Sequence, residues 1–298
     1  MRITILGTGA MACLFGARLA AVAPRAITLV GTWPDGLAAI RRRGVVLTEP
    51  LATHAYPAQV ALLGQPLPPA EIVLVLVKAW QTDAVAPYLA DLVRPDGVVI
   101  SLQQSLGNVE KLGPQACLGV TELSATLLEP GYARCDDERP TFLAAPEWAV
   151  EVFRHAGLDV VGITAERAFG LLWGALSMRC ALEPLSALLQ LPYGELLRRK
   201  DALTLLDRAA TECAMVAWAE RLPLPFADPL FSVRHAAETL AEREAPMLHD
   251  LRRGTPTEID ALNGAVVRAA NQLGVHATVN EILWRQIRAL SIDPQPRP

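Results

Sequence analysis

The chain has 298 residues, of which 52% are apolar and only 19% charged; 27 basic against 31 acidic side chains give a formal net charge of −4. Such a composition excludes a disordered chain, and the acidic balance disfavours a nucleic-acid partner or a polybasic membrane-surface protein. The length suits two domains, and with aromatics at 5% their cores must be built from Ala, Leu and Val.

In chain order, Ile3 to Leu6 reads as a strand and Ala10 to Ala23 as a helix ended by Pro24. Ala26 to Val30 is a second strand, with shorter ones at Val45 to Leu47 and Ala55 to Val60. Ile72 to Val77 is uniformly apolar, as expected of a strand buried on both faces of a parallel sheet. It is also the longest purely aliphatic run, far short of a membrane span. Thr82 to Val93 reads as a helix closed by Pro95 and Gly97, and Val98 to Ser101 as another strand. Strands alternating with helices indicate a doubly wound α/β sheet. Short strands return at Thr121 to Leu128 and Thr141 to Ala144, and Asp136-Asp137-Glu138-Arg139 is expected at a hairpin tip. From Thr164 onward the pattern is helical: Ala165 to Leu191, Tyr193 to Arg221, Pro229 to Arg243, Ile259 to Leu273 and Asn280 to Leu290. Breaks fall at Pro192, at Pro223-Leu224-Pro225 and at the Gly254 to Pro256 turn. The expected domains are therefore an α/β domain over 1–163 and an all-α domain over 164–298, with a frayed tail at Pro294 to Pro298.

Cys13, Cys117, Cys135, Cys180 and Cys213 are widely and irregularly spaced, which fits neither a zinc site nor a disulfide framework. Buried thiols in a reducing cytoplasm are the expectation. Ala21-Val22-Ala23 has the form of a secretory cleavage site, but Gly7, Gly9 and Arg18 interrupt the stretch before it. The histidines lack metal-ligand spacing, and no GxSxG elbow is present.

The strongest local motif is Gly7-Thr8-Gly9-Ala10-Met11-Ala12, between the first strand and the first helix. Gly7 permits the tight turn, Gly9 lets backbone approach a pyrophosphate at the helix N-terminus, and Ala12 keeps helix packing close. A dinucleotide is the implied ligand. At the tip of the second strand stands Val30-Gly31-Thr32-Trp33, with no acid to bind a ribose 2′-hydroxyl, and Asp35 comes late. This favours NADP, with NAD as the alternative. Arg41, Arg42 and Arg43 are the nearest basic run, at what reads as a solvated helix end.

At Val77-Lys78-Ala79-Trp80-Gln81-Thr82 the sequence begins to resemble the ketopantoate reductase family. Supporting stretches are Ser101-Leu102-Gln103-Gln104-Ser105-Leu106-Gly107-Asn108, Glu183-Pro184-Leu185-Ser186-Ala187-Leu188, Met247-Leu248-His249-Asp250, Thr257-Glu258-Ile259-Asp260 and Asn263-Gly264. The resemblance implies a Rossmann domain followed by a helical domain like that of 6-phosphogluconate dehydrogenase. It implies cofactor and substrate meeting in the cleft between them, hydride transfer from NADPH to a 2-keto acid, and a homodimer. It also places Lys78 near the nicotinamide, Glu258 near the keto group, and Gln81, Gln104, Ser105, His249 and Asn263 among the cofactor or substrate contacts.

The substrate half departs from the family. The lysine that donates the proton, two residues after the tryptophan matched by Trp173, is Ala175 here. Two substrate-binding asparagines are Arg179 and Glu183; the asparagine and glycine of a QNG turn are Gln104 and Ser105; a serine before Met-Leu is Pro246. Ala175, Arg179 and Glu183 share one helix face. Either Arg179 clamps a carboxylate or phosphate while Glu183 holds an ammonium, orients a hydroxyl or acts as an acid, or the two form an i,i+4 ion pair filling the vacated space. Lys78, Glu258, Glu183 and His249 are the candidate proton-handling groups; an imine substrate would need none. The expectation is a cytoplasmic NADP-dependent oxidoreductase acting on a small polar carbonyl or imine. The alternatives are a 2-dehydropantoate 2-reductase with a displaced proton donor and an NADP(H)-binding sensor without turnover.

Overall fold

The computed structural model describes residues 1–291, so the tail at 294–298 lies outside the described residues. The chain divides into two compact units, residues 1–103 with 108–168 and residues 104–107 with 169 onward. The first is a Rossmann-type α/β unit and the second is helical.

The first unit runs β1 (Ile3–Leu6), α1 (Ala10–Val22), β2 (Ile27–Gly31), α2 (Pro34–Arg43), β3 (Val45–Glu49), β4 (Ala52–Tyr56), β5 (Gln59–Leu62) and β6 (Ala70–Val75). Single turns α3 (Thr82–Val85) and α4 (Leu89–Leu92) lead to β7 (Val93–Ser101), the turn α5 (Asn108–Lys111), β8 (Ala116–Thr121), β9 (Ser124–Glu129), β10 (Tyr132–Asp137), β11 (Thr141–Leu143), α6 (Glu147–His155) and β12 (Val160–Gly162). An eight-stranded sheet has the order β12-β11-β8-β7-β6-β1-β2-β5. β1 lies parallel between β2 and β6, with Ile3 opposite both Ile27 and Ile72. The chain runs outward from β1 to β2 and β5, then returns to β6 on the other side. That reversal opens a crevice beyond the carboxyl ends of β1 and β6, where α/β sheets bind ligands.

A second sheet, β4-β3-β10-β9, covers the other side of α1. Val45, Leu47, Ala133 and Cys135 of this sheet share one core with Phe15 and Leu19 of α1 and with Ile5 and Leu29 of the large sheet. α1 is therefore apolar nearly all round. Its one charged side chain, Arg18, pairs with Glu49 at 2.5 Å and with Glu138.

Several elements differ from the sequence reading for local reasons. Pro57 separates β4 from β5, and Pro87 breaks the expected Thr82 to Val93 helix, because proline offers no N–H to either ladder. The Thr121 to Leu128 run is split between β8 and β9. The hairpin tip is Pro130-Gly131, with Gly131 at φ +71°, whereas Asp136 and Asp137 belong to β10. α6 escaped the reading because its apolar face is only Ala149, Val150 and Phe153.

The second unit comprises α7 (Ala165–Leu189), α8 (Tyr193–Leu197), α9 (Lys200–Ala219), α10 (Pro229–Thr239), α11 (Pro246–Arg252), α12 (Asn263–Leu273) and α13 (Thr278–Leu290). The expected Tyr193 to Arg221 helix is interrupted at Arg198-Arg199. Gly170 and Gly174 leave a notch on α7 that receives Pro223 and Pro225; a Cβ on Gly174 would lie 2.5 Å from the Pro225 ring. Pro184 stands inside α7 and cannot donate to the Cys180 carbonyl. That carbonyl is satisfied instead by Asn263 Nδ2 at 2.9 Å.

Candidate functional site

The glycine loop sits where the sheet reverses. Gly7 has φ +131°, and a Cβ there would lie 3.0 Å from the Leu76 carbonyl oxygen at the exit of β6, so only glycine suits the position. Gly9 is glycine for a different reason. A Cβ there meets nothing within 4 Å, so the space beside it is open. Gly9 is also the N-cap of α1, which has no capping side chain and no acid in its first turn. The first amides of α1 and the positive end of its dipole therefore remain for an anion. Thr8 is buried against Gly31, and Ala12 is fully buried under the loop. The residues Gly7, Thr8, Gly9, Ala10, Met11 and Ala12 thus fit a dinucleotide pyrophosphate.

At the strand tip Thr32 is exposed and no carboxylate precedes Asp35. Arg41 and Arg42 are exposed at the end of α2, while Arg43 is fixed by Glu129 Oε2 (3.0 Å) and the Pro130 carbonyl (2.7 Å).

The loop carrying Lys78 is fastened from β7. Gln103 Nε2 donates to the Val77 carbonyl and to Thr82 Oγ1, both at 2.9 Å, and Thr82 Oγ1 donates to the Ala79 carbonyl at 2.8 Å. The Lys78 amide donates to Gln81 Oε1 at 3.2 Å. Sequence reasoning singled out Gln104 and missed Gln103, for which the doubled glutamine was the signal.

In the helical unit, α7 carries Ala175, Arg179 and Glu183 on successive turns. Arg179 Nε donates to Glu183 Oε1 at 2.6 Å, Nη2 to Glu258 Oε2 at 3.2 Å, and Nη1 to the Gln104 carbonyl at 3.0 Å. The i,i+4 ion pair therefore exists, and Arg179 is tied to two carboxylates. Burial works against its charge, but Glu183 and then Glu258 outweigh that and hold the guanidinium pKa above its ordinary value. Three of its five N–H groups are engaged. Glu183 is only 4% exposed, yet its Oε2 accepts no hydrogen bond among the described residues. Tyr193 is buried nearby; burial, and after it the Glu183 charge, push its phenol pKa up.

The other expected substrate residues are placed as follows. Gln104 contributes its backbone carbonyl, and Ser105 beside it is buried. His249 is exposed on α11, 3.8 Å from Glu244. Asn263 is fully buried, and its amide donates to the Cys180 carbonyl and to Asn280 Oδ1, both at 2.9 Å. It supplies the hydrogen bond that Pro184 withholds from α7. Trp173 is a core side chain, whereas Trp80 is 42% exposed beside Lys78. Among the described residues no group of three or more His, Cys, Asp or Glu is placed to hold a metal, and no helix is long and apolar enough to cross a membrane.

Comparison with known proteins agrees across both units. The family profile described as "Ketopantoate reductase PanE/ApbA" matches residues 3–148, and its "C terminal" companion matches residues 169–291. A 2-dehydropantoate 2-reductase of Archaeoglobus fulgidus is 31% identical, covering 74% of this chain and 76% of its own. One from Pyrococcus horikoshii is 29% identical over 97% of both chains. A solved PanE/ApbA family ketopantoate reductase from Ralstonia eutropha JMP134 superposes with a TM-score of 0.90 at 28% identity, covering 97% of this chain and 98% of that one.

Proposed function

The chain belongs to the ketopantoate reductase family of oxidoreductases, and from that premise we propose that it reduces a small polar 2-keto acid or the corresponding imine with a nicotinamide dinucleotide, NADP before NAD. The observation that carries this reading is the loop of Gly7 to Ala12, closed against Leu76 at one glycine and open at the other, at the reversal point of the sheet. When bound, the dinucleotide supplies the hydride. The chain's own residues then have separate tasks. The α1 N-terminus holds the pyrophosphate, and Thr32 faces the adenosine ribose without repelling a 2′-phosphate. Lys78, in a loop fixed by Gln103 and Gln81, stands as proton donor to a developing alkoxide, with Glu258 and His249 as the other groups able to exchange a proton. Arg179 and Gln104 line the substrate position. Ketopantoate, the substrate in the relatives' names, is the second reading; Ala175, which has no proton to give, speaks against it.

Fluorescence titration of the purified protein with NADPH and NADH tests the cofactor. NADPH is expected to bind more tightly, and Thr32→Asp to reverse the order. A panel of 2-keto acids and imines, followed by NADPH absorbance, tests the reaction. Cofactor binding with no turnover of any compound would favour a sensor instead.

A further inference from the structure

Resting on the oxidoreductase reading, we propose that the substrate's reacting group is an iminium, C=N⁺–H, and that Glu183 Oε2 is the acceptor that recognises its N–H. Two independent observations lead there. The first concerns charge. Arg179, the cation that replaces a neutral family residue on this face, is already shared between Glu183 at 2.6 Å and Glu258 at 3.2 Å. A substrate carboxylate approaching Arg179 meets two carboxylates on the same guanidinium, so the usual attraction of arginine for an anionic ligand is largely spent. Glu183, in contrast, is a buried carboxylate with one oxygen committed and the other open. Arg179 already meets its charge at Oε1; Oε2 is a further charged acceptor, and an N⁺–H group aimed at it would complete its hydrogen bonding.

The second observation concerns the proton. Reducing a ketone leaves an alkoxide that must be protonated. On this face Ala175 has nothing to donate and Arg179 is a guanidinium. Glu183 is a carboxylate in an ion pair, and the Tyr193 phenol is made a weaker acid by burial and by Glu183. The proton would otherwise have to come from Lys78, Glu258 or His249, and an iminium removes that requirement. A bound dihydronicotinamide would supply the hydride pair for the new C–H bond and be left oxidised, while the C=N π pair would move to nitrogen and cancel its charge. The nitrogen keeps its own proton throughout; the product amine takes a further one from water afterwards.

The probe is 1-pyrroline-2-carboxylate, whose ring nitrogen is protonated in its reactive form, set against ketopantoate and pyruvate with NADPH. The wild-type protein is expected to show a kcat/KM for the imine at least about tenfold above that for either keto acid. Glu183→Gln keeps the side-chain shape and an acceptor for Arg179 Nε but removes the charge. It is expected to lower the imine kcat/KM by about tenfold or more, and by clearly more than it lowers the kcat/KM of either keto acid. Calorimetric titration with proline in the presence of NADP⁺ gives a readout apart from turnover: Glu183→Gln should weaken its binding by a similar factor. Preference of the wild type for a keto acid, or proline binding indifferent to Glu183→Gln, overturns the iminium assignment and leaves the oxidoreductase reading standing. NADPH binding with neither class reduced overturns both.

Discussion

At the scale of single residues, Arg179 is the side chain whose removal should cost most. Arg179→Ala leaves Glu183, 4% exposed, as a buried carboxylate without its cation. A loss of about 3–5 kcal/mol in urea denaturation is expected. The double replacement Arg179→Met with Glu183→Met should recover most of it, because the charge is then absent rather than stranded. The sequence placed these two residues on one helix face by spacing alone. It did not supply Glu258 or the Gln104 carbonyl, which reach Arg179 from segments distant in the chain. Cys13 makes a second case. Burial pushes its thiol pKa from 9.0 up to about 12, with Arg43 opposing, and its Sγ lies 3.8 Å from the Thr8 carbonyl under the glycine loop. Between these values the unfolded chain has released this proton and the folded one has kept it, so stability falls as pH rises above 9. Cys13→Ala should flatten the decline, by up to about 1.4 kcal/mol per pH unit, in urea titrations between pH 8 and 10.

At the scale of elements, α7 shows how a helix absorbs residues that propensity disfavours. Glycine inside a helix is normally improved by alanine, by about 1 kcal/mol. Gly170→Ala should do the reverse, because the new Cβ runs into the Pro223 carbonyl oxygen. A destabilisation of about 2–4 kcal/mol, read as a lowered melting temperature, is the expected outcome. Pro184 breaks the same helix one turn after Cys180, and Asn263 from α12 fills the vacancy. The sequence announced the proline and the asparagine but not their partnership, and the family resemblance had placed Asn263 with the substrate. Long periodic helices such as α7 and α13 were legible within a few residues. Short elements were less so: α3 and α4 were read as one helix across Pro87, and α6 escaped, having too few turns to show a period against its charges.

At the scale of the whole molecule, the glycine loop ties sequence to topology, and its two glycines should fail differently. Gly9→Asp puts a carboxylate into open space at the α1 N-terminus; it should abolish NADPH binding by fluorescence titration while leaving the melting temperature nearly unchanged. Gly7→Ala strains a residue at φ +131° against Leu76 and should lower the melting temperature as well as the affinity. The sequence by itself determined the two-part organisation, the parallel core strands and the glycine loop. Each of these is written in neighbouring residues, through period, turn chemistry or identity at a motif position. Only the tertiary structure decided that the small sheet buries α1 from the far side, that Gln103 fastens the Lys78 loop, that Asn263 serves the Cys180 carbonyl of α7, and that Arg179 is held by two carboxylates. Those outcomes depend on which distant groups meet. The physical reason is that a buried polar group must find a partner wherever the fold brings one within about 3 Å, and no local pattern encodes that distance.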